Sequence, residues 1–147
     1  MVLINAITSL GFNSELSVVL APDVGSAAIS QAYAKRLKMN FALIDKRRFA
    51  PNKSKVSHLI GELEGMDVLI IDDMIDTAGT TVSAAEAAIE KGAKSVTAIA
   101  THGVLSGPAI DRLKNSPIKT MVLTDTLLIP VSYTHLRAHE TLRYLVC

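Results

Sequence analysis

Cysteine is almost missing from this 147-residue sequence: the one thiol, Cys147, stands at the last position. That excludes an internal disulfide framework and a metal site built on cysteines. Tryptophan is absent and aromatic residues make up only 4% of the chain, so any core has to be aliphatic. No apolar run approaches the roughly 20 residues of a membrane span. The first residues also lack a basic segment followed by an apolar signal region. Neither sign of charge dominates, since 15 Lys and Arg against 14 Asp and Glu leave a formal +1. There is then no global field to draw nucleic acid or a membrane surface. A reducing, cytoplasmic setting is expected, with neither of those two partners. Internal repeats and low-complexity linkers are also lacking.

What is present is aliphatic. Hydrophobic residues make up 49% of the chain, enough for one domain that buries roughly 70% of its unfolded surface. Residues 1–12 read as the end of a helix stopped near Gly11, and 16–21 as a buried strand ending at Pro22. Ser26 is placed to cap a helix running to about Lys38. Residues 41–44 form a second strand, after which the polar, basic stretch 45–55 is expected to be a loop. A short strand is expected over 56–62. The continuous apolar run 66–71 is typical of a sheet strand covered on both faces. An Ala-rich helix over 80–90 ends at Lys91-Gly92. Strands at 96–100 and 118–123 flank a short helix at 108–113. This alternation predicts the α/β class: a mostly parallel sheet flanked by helices and joined by right-handed crossovers.

The run Val68-Leu69-Ile70-Ile71-Asp72-Asp73-Met74-Ile75-Asp76-Thr77-Ala78-Gly79-Thr80-Thr81 carries the chemistry. Its two adjacent carboxylates stand where α/β sheets hold their ligands. A carboxylate accepts hydrogen bonds from vicinal sugar hydroxyls. Ala78 and Gly79 let the backbone come close to an anion, and Thr77, Thr80 and Thr81 offer hydroxyl donors. The following helix aims its free N–H groups at the same spot. One turn thus has acceptors for a sugar and donors for a phosphate. If Asp76 or Thr77 merely capped the helix beside a solvated acid pair, six special positions in a row would go unexplained.

This stretch is similar to the phosphoribosyl-diphosphate fingerprint of type I phosphoribosyltransferases and ribose-phosphate pyrophosphokinases. Three further segments resemble the second group. They are Asp45-Lys46-Arg47-Arg48 with Pro51-Asn52, Pro22-Asp23-Val24-Gly25, and the run from Thr101-His102-Gly103 through Val104-Leu105-Ser106-Gly107-Pro108 to Ala109-Ile110. The resemblance covers residues 18–130 and implies a phosphoribosyltransferase-type domain. It further implies transfer of a diphosphoryl group from ATP to the C1 hydroxyl of ribose 5-phosphate. Lys46 and Arg48 would be catalytic, on a flexible loop. Asp72, Asp73, Asp76, Thr77, Ala78, Gly79 and Thr80 would hold ribose 5-phosphate, and Asp23 would be a Mg²⁺ ligand. Relatives of this kind form homo-oligomers, dimer-based and often hexameric. The alternatives are a type I phosphoribosyltransferase and a catalytically silent regulatory relative. His102 reads as a polar residue at a strand end, and His58 is left without a role.

The sequence also departs from that pattern. The family's N-terminal, adenine-binding domain has no counterpart, so the fragment is expected to be inactive alone. The arginine usual after the Asp23 loop is missing, with Ser30 and Gln31 nearby. Residues 1–130 follow the family, whereas 131–147 read as a non-native, adapter-derived tail. His135 and His139, four apart, could share a metal on one helical face but lack a clear third ligand.

Overall fold

A computed structural model describes residues 2–47, 56–124, 126 and 142–146. Its elements run α1 (Val2–Ser9), β1 (Ser17–Ala21), α2 (Ala27–Leu37), β2 (Asn40–Arg47), β3 (Val56–Ile60) and β4 (Asp67–Ile75). They continue through α3 (Gly79–Glu90), β5 (Ser95–Gly103), α4 (Ala109–Lys114), β6 (Ile118–Thr124) and β7 (Leu142–Val146). The strands form one sheet in the order β3-β2-β1-β4-β5-β6-β7. Strands β2, β1, β4, β5 and β6 are parallel, and antiparallel β3 and β7 form the two edges. The expected mostly parallel α/β sheet is what the chain forms.

Side-chain alternation sorts the core into two layers, because successive strand residues point to opposite faces. Val18, Leu20, Val68, Ile70, Val96 and Ala98 pack under α3 and α4, meeting Ala84, Ala85, Ala88 and Leu113. Val19, Leu69, Ile71, Ile99 and Val122 pack on the other face against Leu3, Ala6 and Ile7 of α1 and Ala34 of α2. The apolar run 68–71 is buried throughout because both faces are covered. The small alanine side chains of α3 let that helix lie close to the sheet. Among the described residues, no helix is long and apolar enough to cross a membrane.

Three boundaries differ from the sequence reading. Strand β2 does not stop at Ile44: Asp45, Lys46 and Arg47 pair with His58, Ser57 and Val56 of β3. A neighbouring strand satisfies their backbone groups even though the side chains are polar. Strand β4 continues past Ile71, since Asp72 and Met74 pair with Ala100 and His102 of an equally extended β5. His102 therefore lies within a strand rather than after it. Ser26 occupies the N-cap of α2 but makes no side-chain cap bond. Its amide and hydroxyl instead donate to Asp23 Oδ1, at 2.9 and 3.1 Å.

Strand order fixes where a ligand can sit. From β1 the chain moves to β2 over one face of the sheet, and from β4 it moves the opposite way to β5 over the other. Order reverses between β1 and β4, leaving a crevice at their carboxyl ends. Asp23 follows β1, and Asp72 and Asp73 lie at the end of β4, so both segments reach that crevice.

Candidate functional site

The crevice is a cleft of about 270 Å³ lined by Asp23 and by residues 72–81. Eight residues expected from sequence to bind ligand thus share one space: Asp23, Asp72, Asp73, Asp76, Thr77, Ala78, Gly79 and Thr80. Lys46 lies on β2, and Arg48 lies outside the described residues. The β1–β2 pairing ends at Ala21 and Leu43, so Lys46 lies three residues beyond it along β2. At roughly 3.3 Å per residue that is about 10 Å past the carboxyl edge where the cleft opens.

The two adjacent acids are not equivalent. Asp72 is half-buried, whereas Asp73 is exposed. The Asp73 amide donates to Asp72 Oδ1 at 2.9 Å. Burial pushes the Asp72 carboxyl up to about 6, and the negative charges of Asp23 and Asp73 push the same way, against the Asp73 amide hydrogen bond. A site that resists its own negative charge favours a cation or hydroxyl donors. Among the described residues, no three His, Cys, Asp or Glu side chains are grouped to hold a metal ion. The carboxylate oxygens present, those of Asp23, Asp72 and Asp73, are of the donor type that hard cations take.

The turn leading to α3 has donors to spare. Ala78 stands at the N-cap in the left-handed region, φ 60°, and no side chain caps the helix. The view that Asp76 or Thr77 serves as a cap therefore fails. Asp76 Oδ1 instead accepts from the Ser106 hydroxyl. Gly79, Thr80 and Thr81 of the first turn of α3 line the cleft, and a helix start without a side-chain cap is the kind of end that takes an anion.

Two contacts were not foreseen in sequence. Arg112 of α4 donates from Nη1 to the Thr77 carbonyl at 3.0 Å. Ser106 donates both its amide and its hydroxyl to Asp76. Each partner lies 30 or more residues away, so no local spacing announces them. Ser106 falls within the 101–110 run that resembles the family, whereas Arg112 lies outside it.

The chain matches the family profile described as phosphoribosyl synthetase-associated domain over residues 47–143. It is 49% identical to a ribose-phosphate pyrophosphokinase of Clostridium acetobutylicum over 117 residues, 80% of this chain and 37% of that protein. The Bacillus subtilis ribose-phosphate pyrophosphokinase is 48% identical over 120 residues, 82% of this chain and 38% of the relative. The chain thus spans less than two fifths of the length of these curated relatives. Among solved structures, phosphoribosylpyrophosphate synthetase from Mycobacterium smegmatis superposes with a TM-score of 0.78 at 34% identity. That match covers 88% of this chain and 41% of the other. Adenine phosphoribosyltransferase from Thermoanaerobacter pseudethanolicus, at 22% identity and TM-score 0.57 over 78% of this chain and 74% of that one, shares the fold. With a profile match over residues 47–143, about two thirds of its length, and 48–49% identity to curated ribose-phosphate pyrophosphokinases, this chain belongs to the phosphoribosyl synthetase-associated domain family.

Proposed function

We propose that this chain forms the ribose 5-phosphate-binding part of an enzyme that transfers a diphosphoryl group from ATP. The acceptor is the C1 hydroxyl of the sugar, and the products are 5-phosphoribosyl 1-diphosphate and AMP. The observation that carries this reading is one cleft lined both by carboxylates and by the start of α3, which no side chain caps. Few ligands other than a sugar phosphate need both.

In this reading Asp72 and Asp73 accept hydrogen bonds from the ring hydroxyls, and the N–H groups and hydroxyls of residues 77–80 donate to the 5-phosphate. Asp76 bounds the turn between these two regions. Lys46 donates to the oxygens of the transferring group, and Arg48 grips substrate phosphate with its planar fork. Phosphoryl chemistry of this kind depends on positioning and on neutralising charge. Asp23 would hold Mg²⁺ together with substrate oxygens. When bound, the ion neutralises diphosphate charge. ATP and ribose 5-phosphate are then the small-molecule partners, and homo-oligomers are proposed for the whole protein. The chain alone is proposed to bind the sugar phosphate without turning it over.

Thermal unfolding with and without ribose 5-phosphate tests the reading. Ligand at 100 times its dissociation constant adds about 2.7 kcal/mol. Asp72→Ala should abolish the protection. An unshifted melting curve for the unsubstituted chain at saturating ligand would overturn the proposal.

A further inference from the structure

The segment 104–112 contributes nothing to the lining of the cleft. Its contacts explain its presence. The amides of Val104 and Leu105 both donate to the Ile75 carbonyl, at 3.0 and 3.1 Å, and the Ser106 amide donates to the Asp76 carbonyl at 3.1 Å. The Ser106 hydroxyl closes on the Asp76 carboxylate, and Arg112 Nη1 reaches the Thr77 carbonyl. Five donors from one segment therefore fall on three consecutive residues of the turn. Neither Ser106 nor Arg112 lines the cleft, so they hold the turn from behind.

The turn needs such support. Ala78 sits at φ 60°, a conformation that costs an L-residue with a Cβ free energy, and no side chain caps the helix behind it. The amides of Thr77 and Ala78 share peptide planes with the carbonyls of Asp76 and Thr77, which Ser106 and Arg112 hold, so their orientation depends on those bonds. The carboxylate of Asp76 would otherwise be free to swing toward the anion site and repel it. The Ser106 hydroxyl fixes it aside.

We propose that Ser106 and Arg112 are positioning residues that hold the 76–80 turn in its anion-ready shape before ligand arrives. This rests on the reading of residues 72–81 as the sugar-phosphate site. The turn then binds phosphate without reordering, which preserves affinity.

The test combines amide hydrogen exchange with calorimetric binding of ribose 5-phosphate, both on the full chain. In Ser106→Ala and Arg112→Gln the amides of Val104, Leu105 and Ser106, which donate to Ile75 and Asp76, and of Val82, which donates to Ala78, should exchange faster while the core strands are unchanged. Affinity for ribose 5-phosphate should fall about tenfold, the loss expected for one charge-assisted hydrogen bond. Ser106→Thr should restore both. Arg112 is exposed, so its variant folds and decides the matter even if Ser106→Ala does not. Unchanged exchange at Val82 and residues 104–106, or unchanged affinity in variants of a chain that does bind, overturns the proposal. If the unsubstituted chain fails to bind ribose 5-phosphate, the functional reading falls, and the exchange data still decide whether the two residues brace the turn.

Discussion

The hydroxyl of Ser30 donates to the main-chain carbonyl of Ile71 at 3.0 Å, joining residues 41 apart in sequence. Ser30 is buried on α2, the helix that begins just after Asp23, and Ile71 immediately precedes Asp72. The bond therefore ties the two acid-bearing segments of the cleft through the layer beneath them. Replacing a buried donor of this kind costs about 1 kcal/mol. Ser30→Ala should lower the urea midpoint accordingly and reduce the melting temperature by about 3 °C for a domain of this size. An unchanged midpoint would show that the bond contributes nothing to stability.

The raised carboxyl of Asp72 makes stability depend on pH in the less usual direction. Between 3.8, its ordinary value, and about 6, the folded chain keeps a proton that the unfolded chain has released. Raising pH through this window therefore removes stability, because folding then has to hold an ionised acid in a half-buried place beside two other acids. Solvent reaches part of the group, so the effect is modest. Asp72→Asn cannot titrate and should flatten this part of the curve. Urea unfolding of both chains at about pH 4 and about pH 7 reads the difference. Parallel behaviour would mean that Asp72 titrates like a free acid.

Alternation of aliphatic runs and Ala-rich helices was enough to read the sheet, since both features follow from local periodicity. The ends of elements were harder to read. Asp45, Lys46 and Arg47 look like loop residues by composition, and only pairing with β3 keeps them extended. Asp72 and Met74 likewise stay in β4 because β5 runs on beside them. The cleft acids and the glycine-bearing turn were legible because contiguous residues build them. Ser106 and Arg112 were not, because their partners come from another crossover.

Gly61 shows how closely the β2–β3 hairpin is packed. Its φ is 116°, and an added Cβ would lie 2.8 Å from Ala42 Cβ and 3.0 Å from Ala42 Cα. The obstacle includes backbone, which cannot rotate away. Gly61→Ala should therefore destabilise the chain by about 2 kcal/mol, combining overpacking with left-handed strain. Chemical denaturation measures this directly, and a neutral substitution would mean that the hairpin can shift at little cost.

The same hairpin makes Lys46 the sharpest functional test. Strand β2 outruns β1 and carries Lys46 beyond the carboxyl edge on which Asp23 and Asp72 stand. On the proposed reading Lys46 acts on the transferring phosphoryl and not on the sugar pocket. In a full-length synthetase with these residues, Lys46→Ala should lower kcat by roughly 10²–10³, the usual cost of losing one donor to a charged transition state. Binding of ribose 5-phosphate should be nearly unchanged, because its proposed contacts lie at 72–80. Lys46→Arg keeps the charge but replaces a compact ammonium with a broad planar fork, so it should recover only part of the rate. Equal turnover in the alanine variant removes Lys46 from the reaction, and a parallel loss of ribose 5-phosphate affinity would assign it to the sugar pocket instead.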